Sequence, residues 1–429
     1  MPKTATKKTS SVKPKVKVKS ALQSSATKNS PHWNSILKRL QKIGRAYGFV
    51  RIETPIVEEE KTYSHFYKDQ PSFLDRTVFT KLGSKSVALR SAVLPSVLRY
   101  YVQHKIFDEQ TLSKWFYVGN VIYLDDKQST KSNYEFGFEV LGGFNHLTEA
   151  QVISAVWEFL NLLGLQDLQI EVNTLGGTKT QTNYQNVLKE YCKTRDFDLC
   201  DNCLNQINKR PLDILRCDQL GCQVVVSEAP PILDYLTDDV QKHFTDVLEA
   251  LDELEIPYQL NHHYAGPQGA TKTNFVVRYV GGKKPIVLGE GSWHENLLSN
   301  LTGKPLPAFG FVGNLAALTE AMEVAKVETE KDYNSEVFLV PLGELASKRS
   351  LKLFRDLVVA NIRVHDHFGT EGVKNQLKAA QEYNAPIALI MGQKEAAEEQ
   401  VILRDVKSGM QEIFSYDKII DEVKKRLGR

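Results

Sequence analysis

The chain has no cysteine outside one short stretch, no acidic residue among its first thirty, and no apolar run long enough to cross a bilayer. Each absence excludes something. The five cysteines, Cys192, Cys200, Cys203, Cys217 and Cys222, fall within about thirty residues, and an odd, clustered set argues against a disulfide framework. Uncharged apolar runs such as Ala385 to Met391 are far short of the roughly 20 residues that span a hydrocarbon core. The opening segment lacks the apolar h-region of a signal peptide, and it also lacks the arginines and apolar face of a mitochondrial transit peptide. A cytoplasmic protein without membrane contact is expected.

What is present is a soluble globular composition, 42% hydrophobic and 25% charged, over 429 residues, enough for two or three domains. The net charge of +2 hides an asymmetry. Residues 1–30 carry eight lysines, Lys3, Lys7, Lys8, Lys13, Lys15, Lys17, Lys19 and Lys28; setting these aside leaves about −6 on the remainder. Rich otherwise in Ser, Thr, Ala and Pro, the segment cannot bury enough apolar surface to fold, so a disordered basic tail is expected. Its lysines would gain affinity by releasing counterions from nucleic-acid phosphates. A solubilising leader is the alternative.

Apolar periodicity organises the rest. Ile36, Leu40 and Ile43 predict a helix closed by Gly48, and Phe49 to Ile52 a short strand stopped before Pro55. Val78–Thr80 and Val87–Leu89 read as a strand pair, and Leu94 to Ile106 as a helix. Trp115–Leu124 and Asn133–Leu141 read as two strands around a polar loop, followed by a helix from Ala150 to Leu163. The turn-rich, cysteine-bearing text at 175–239 reads as an inserted module, after which helix (Val240–Leu254) and strands (Asn274–Val280, Ile286–Leu288) resume. Beyond a charged linker, strand and helix alternate from Val337 to Met391, the pattern of a compact α/β domain.

Several stretches carry a resemblance. Tyr47-Gly48-Phe49-Val50-Arg51-Ile52-Glu53-Thr54-Pro55 resembles motif 1 of class II aminoacyl-tRNA synthetases, which builds their dimer interface. Trp115 to Asn120, leading to Phe136 through Gly142, resembles motif 2, and Pro307-Ala308-Phe309-Gly310-Phe311 resembles the start of motif 3. Arg210 to Cys217 with Ala229 to Leu236, and Gly372 to Tyr383 with Ile390 to Glu395, are similar to the insertion and anticodon-binding domains of histidyl-tRNA synthetases. The likeness runs from about residue 33 to 429. It implies an α+β fold: a class II antiparallel sheet core at 33–327 with the insertion at 175–239, then an anticodon-binding-like α/β domain at 334–429. It also implies a homodimer and a tRNA partner.

The family's charged chemistry is what this sequence has little of. Where the family has Phe-Arg-x-Glu in motif 2, this chain reads Ile122-Tyr123-Leu124-Asp125; where motif 3 ends Gly-x-Glu-Arg-Leu, it reads Asn314-Leu315-Ala316-Ala317-Leu318. Arg-Gly-Leu-Asp-Tyr-Tyr becomes Tyr264-Ala265-Gly266-Pro267-Gln268-Gly269, Pro-Glu-Gly-Thr becomes Ser91-Ala92-Val93-Leu94, and Gly-Gly-Arg-Tyr-Asp becomes Gly291-Ser292-Trp293-His294-Glu295. Cations stabilise the charge that develops on phosphates, each contact being worth about 3 kcal/mol. Lys127, Lys131, Arg278 and His294 are candidate stand-ins, none at a motif position. By resemblance, the substrate pocket retains Arg90, Gln128, Glu139 and Glu295. Arg90 and Arg99 have salt bridging within the fold as an alternative role, and Glu139 the pairing of a neighbouring lysine.

Cys200-x2-Cys203 followed by Cys217-x4-Cys222 can close a structural tetrahedral zinc site, with buried thiols that merely pack as the alternative. His262-His263 and His365-x-His367 read as solvated or capping residues rather than metal ligands. Two functional expectations follow from the resemblance. One is a synthetase-like protein that does not activate histidine and acts in tRNA binding or as a regulatory or assembly subunit with a protein partner. The other is a divergent working histidine–tRNA ligase, which would use ATP and Mg. A dimeric nucleic-acid-binding scaffold is a third.

Overall fold

In the computed structural model the described residues are 32–68, 70–109, 112–304, 306–328, 335–368 and 372–429. Helix His32–Ala46 buries Ile36, Leu40 and Ile43 along one stripe. Gly48, at φ +75°, supplies the left-handed residue that turns the chain into strand Val50–Arg51. That strand pairs in parallel with Leu112–Leu124, at the edge of an eight-stranded sheet.

From that edge the sheet continues through Thr130–Gly142, Ala308–Asn314, Ile286–Trp293, Thr271–Tyr279 and Leu168–Thr174 to the short strand Gln259–Leu260. All pairings between the two edges are antiparallel; both edge strands pair in parallel. Strand Thr130–Gly142 alternates, sending Phe136, Phe138 and Val140 into the main core while residues 135, 137 and 139 take the other face. Phe136 and Phe138 meet Phe159 edge-on, at 5.3 and 6.4 Å between ring centres. Helices His32–Ala46, His146–Leu162, Asp238–Glu253 and Leu315–Val324 cover this face. The opposite face is left to carry a site.

A three-stranded sheet of Val57–Glu59, Lys85–Leu89 and Phe79–Leu82 lies in the same unit. The inserted module consists of helix Thr178–Lys193, short helices Asp201–Gln206 and Leu220–Ser227, and single turns at Asp196–Asp198, Pro211–Arg216 and Ile232–Tyr235. It has its own small core around Tyr184, Leu188, Ile214, Val225 and Ile232. The sequence pattern missed strand Leu168–Thr174, which pairs along its full length with Thr271–Tyr279.

The chain divides after Glu328 into two compact units. The second is a five-stranded sheet in the order Val364–Asp366, Val337–Pro341, Ile387–Met391, Gln400–Asp405, Gln411–Ser415, parallel in its first three strands and antiparallel in the rest. Helices Glu344–Val359, Val373–Glu382 and Ile419–Arg426 complete it. The architecture is α+β, an antiparallel-dominated sheet followed by a smaller α/β unit. No described helix is long and apolar enough to cross a membrane.

Candidate functional site

A pocket of about 390 Å³ opens on the sheet face away from the covering helices. The twofold period of the strands decides what reaches it. Glu135 and Glu139 share a face of Thr130–Gly142; Glu290 and Ser292 share one of Ile286–Trp293, with His294 just beyond. Two glycines make room. A Cβ at Gly310, opposite Glu139 in the register, would overlap the Glu139 carboxylate, and one at Gly137 would overlap the Tyr117 phenol. The lining includes Tyr67, Gln70, Arg76, Glu135, Glu290, His294 and the loop from Pro267 to Ala270.

Its electrostatics are acidic. Glu135, half-buried, accepts the Val93 backbone N–H at 2.9 Å; burial pushes its carboxyl up to about 7, against the pull of that bond and of Arg90. Glu139 is fully buried and is likewise raised by burial, with His294 opposing. The Tyr117 hydroxyl donates to Glu139 at 3.3 Å, and His294 Nε2 stands 3.4 Å from Glu139 Oε2, near enough to pair but poorly aligned for a hydrogen bond. Tyr264 donates its hydroxyl to Glu290 at 2.8 Å; burial holds that phenol neutral, well above its ordinary range.

Cations are scarce. Arg76 is the one Lys or Arg among the described lining residues. It sits at the rim, its guanidinium 5.2 Å from the ring centre of Tyr123, the residue standing where the motif 2 arginine is expected. Of the candidate stand-ins, His294 reaches the lining. Arg278 is paired to Glu171 at 3.0 Å and Lys131 to Asp125 at 3.5 Å, while Lys127 is exposed in the hairpin turn.

The four pocket residues named from the sequence separate in space. Glu139 is not a lining residue but is fully buried behind one, its carboxylate 3.4 Å from His294. Arg90 spends its guanidinium on carbonyl oxygens, Nε to Asn120 at 2.9 Å and Nη1 to Thr54 at 2.6 Å. Gln128 is exposed at the tip of the long hairpin with φ +58°. Glu295 is tied to Lys272 at 2.9 Å and to the Thr271 hydroxyl at 3.2 Å. Arg99 pairs with buried Glu58 at 2.8 Å. Sequence reasoning missed Arg76, Glu135 and Glu290. For Glu135 a signal existed, since it lies four residues from Glu139 on an alternating strand.

Elsewhere, the inserted module gathers Cys200, Cys203, Cys217 and Cys222, whose sulfurs all lie within 4.8 Å of one another; Cys192, though buried in the same small core, is not among them. The tail residues Lys3, Lys7, Lys8, Lys13, Lys15, Lys17 and Lys19 lie outside the described residues. Chemically, the pocket offers the carboxyl groups of Glu135 and Glu290 and the phenol of Tyr67, which burial holds neutral, groups that accept a cation or an amine, with one rim arginine for an anion.

Residues 25–213 match the family model described as histidyl-tRNA synthetase, and residues 336–426 match the model described as anticodon binding domain. A histidine–tRNA ligase of Dehalococcoides mccartyi is 27% identical over 406 residues, spanning 93% of this chain and 97% of its own. One of Desulfitobacterium hafniense is 29% identical over 386 residues, 88% of this chain and 91% of its own. The fold resembles that of the apo histidyl-tRNA synthetase of S. aureus, with a TM-score of 0.76 at 22% identity over 92% of this chain and 96% of that one. It also resembles an ATP phosphoribosyltransferase regulatory subunit/histidyl-tRNA synthetase from Bacillus halodurans, with a TM-score of 0.59 at 15% identity over 84% of this chain and 95% of that one.

Proposed function

This chain belongs to the histidyl-tRNA synthetase family, and from that membership we propose that it binds tRNA as a homodimer without activating histidine. The observation that carries the reading is the charge of the pocket. Glu135 and Glu290 line it, Glu139 is buried behind His294, and among the described lining residues Arg76 alone brings a fixed positive charge, at the rim. Adenylate formation needs the opposite, because negative charge on the phosphates must be met where it develops. Each missing contact costs about 3 kcal/mol, so the loss of three slows the reaction by roughly six orders of magnitude. The acidic side chains that line the pocket suit the ammonium or imidazole of a small ligand, which can be held without being activated.

The tRNA half of the reading is supported by the anticodon-binding match over residues 336–426. The dimer is supported by apolar side chains exposed on the sheet edge and the small sheet beside it, where Val50 is 65% and Leu82 69% accessible, with Ile56, Val57 and Phe79 also exposed. Purified protein should give no histidine-dependent ATP–pyrophosphate exchange while retaining tRNA on a filter and sedimenting as a dimer. Clear histidine-dependent exchange would sink the proposal in favour of a working ligase.

A further inference from the structure

The four clustered cysteines do not resemble a chance packing of thiols. Cys200 is the residue before helix Asp201–Gln206 and Cys203 lies in that helix's first turn; Cys217 follows the turn Pro211–Arg216, and Cys222 lies in the first turn of Leu220–Ser227. Two pairs separated by thirteen residues are thus brought to one point by two similar strand-free corners. Cys200 Sγ and Cys217 Sγ are 3.9 Å apart, and all four sulfurs fall within 4.8 Å of each other. A zinc ion bound to four thiolates at about 2.3 Å sets neighbouring sulfurs about 3.8 Å apart. The Cys200 backbone N–H donates to Cys222 Sγ at 3.2 Å, a contact that steadies negative charge on sulfur.

A second, independent observation concerns the scaffold. Apart from Thr178–Lys193, no helix or turn of the inserted module exceeds eight residues. Helices that short are marginal in water, and the small core they share is built in part from the thiols themselves, with Cys203 and Cys222 buried in it and Cys200 and Cys217 packed against it. Modules of this kind need a staple. We infer that Cys200, Cys203, Cys217 and Cys222 hold a structural zinc ion, with all four positions filled by protein and none open for chemistry.

The staple would reach the pocket through one residue. Arg216, the neighbour of Cys217, donates from Nε to the Gly266 carbonyl at 2.8 Å and from Nη2 to those of Ala265 at 2.7 Å and Pro267 at 3.3 Å. Asp213 orients the same guanidinium at 3.0 Å. The loop so pinned runs into the pocket wall at Pro267 to Ala270. Zinc therefore fixes Cys217, Cys217 fixes Arg216, and Arg216 fixes the wall.

The test uses the full chain, purified under reducing conditions without chelator. Elemental analysis after gel filtration should find one zinc per chain, and exchange with cobalt should give the absorption bands of a tetrahedral thiolate site. Cys217→Ser should fall from one equivalent to none, while Cys192→Ser keeps one. Should Cys217→Ser prove insoluble, Cys222→His decides: retained metal with a shifted cobalt spectrum supports the site, and an unshifted spectrum overturns it. Protein that carries no zinc and takes up no cobalt overturns it outright. Stripping the metal should speed amide exchange across residues 265–270; an unchanged rate there removes the link to the pocket wall.

Discussion

Glu135 Oε2 accepts the backbone N–H of Val93 at 2.9 Å, within a pocket where burial lifts this carboxyl to about 7. The folded chain keeps the proton where the unfolded chain has shed it. Its contribution to stability is therefore whole below the ordinary carboxylate value of 4.5 and is lost as pH rises to about 7. Glu135→Gln keeps an acceptor for Val93 and removes the charge. Its stability should exceed the parent's by on the order of 1–2 kcal/mol above pH 7, with no gain near pH 4.5, because the pocket mouth admits solvent. Urea titrations across that range read the difference, and parallel pH curves would refute it.

Arg90 holds the fold together at a place where resemblance suggests a substrate contact. Its bonds to Asn120 and Thr54 tie the segment before the small sheet to the long hairpin. Arg90→Ala should destabilise by about 3 kcal/mol, since two carbonyls lose a charged donor in a buried setting. The midpoint of denaturation checks this. A variant of unchanged stability that had lost ligand binding would instead assign Arg90 to the pocket.

Helices His146–Leu162 and Asp238–Glu253 are joined by His243 Nε2, 2.7 Å from the fully buried carboxylate of Glu149. The bond to Glu149 raises the imidazole above its ordinary 6.5. The stability it adds is fully present below 6.5 and is lost as pH climbs through the raised value. His243→Ala should cost about 3 kcal/mol at pH 6, by stranding a buried charge, and less at pH 9. An equal loss at both pH values would contradict the ionic component.

The basic tail makes a prediction about salt. Each lysine that neutralises a phosphate steepens the fall of log affinity with log salt by roughly 0.7–0.9. Deleting residues 1–30, with their eight lysines, should flatten the tRNA-binding slope by several units and leave the high-salt affinity nearly unchanged. Equal slopes for the two chains would take the tail out of RNA binding.

Much of this architecture was legible in the sequence because local pattern and global fold agree. The stripe of Ile36, Leu40 and Ile43, the alternation in Thr130–Gly142, and the βαβ order from Val337 to Met391 each state their partner surface directly. Strand Leu168–Thr174 was hidden because it follows the long helix His146–Leu162 after a brief turn, without a Pro or a β-hairpin signal to announce it. The short helices around Cys200 and Cys222 were hidden for another reason: Asp201–Gln206 has the polar text of a turn, Leu220–Ser227 carries a Val224–Val226 run that favours a strand, and tertiary closure makes both helical. The pocket was half visible. Glu139 carried a motif, and Glu135 shares its face, but Arg76 reaches the site through the bridge between Thr77 and Tyr123, a pairing that no nearby spacing encodes.

The division after Glu328 also shapes how such experiments behave. Each unit closes its own apolar interior, one around Phe138, Phe159 and Phe311, the other around Val337, Leu353 and Leu389. Cooperativity extends as far as shared packing does, so heating should yield two overlapping transitions rather than one. Changes at Glu135, Arg90 or His243 would move one transition and leave the other in place. The unmoved transition then serves as a thermometer inside the same molecule.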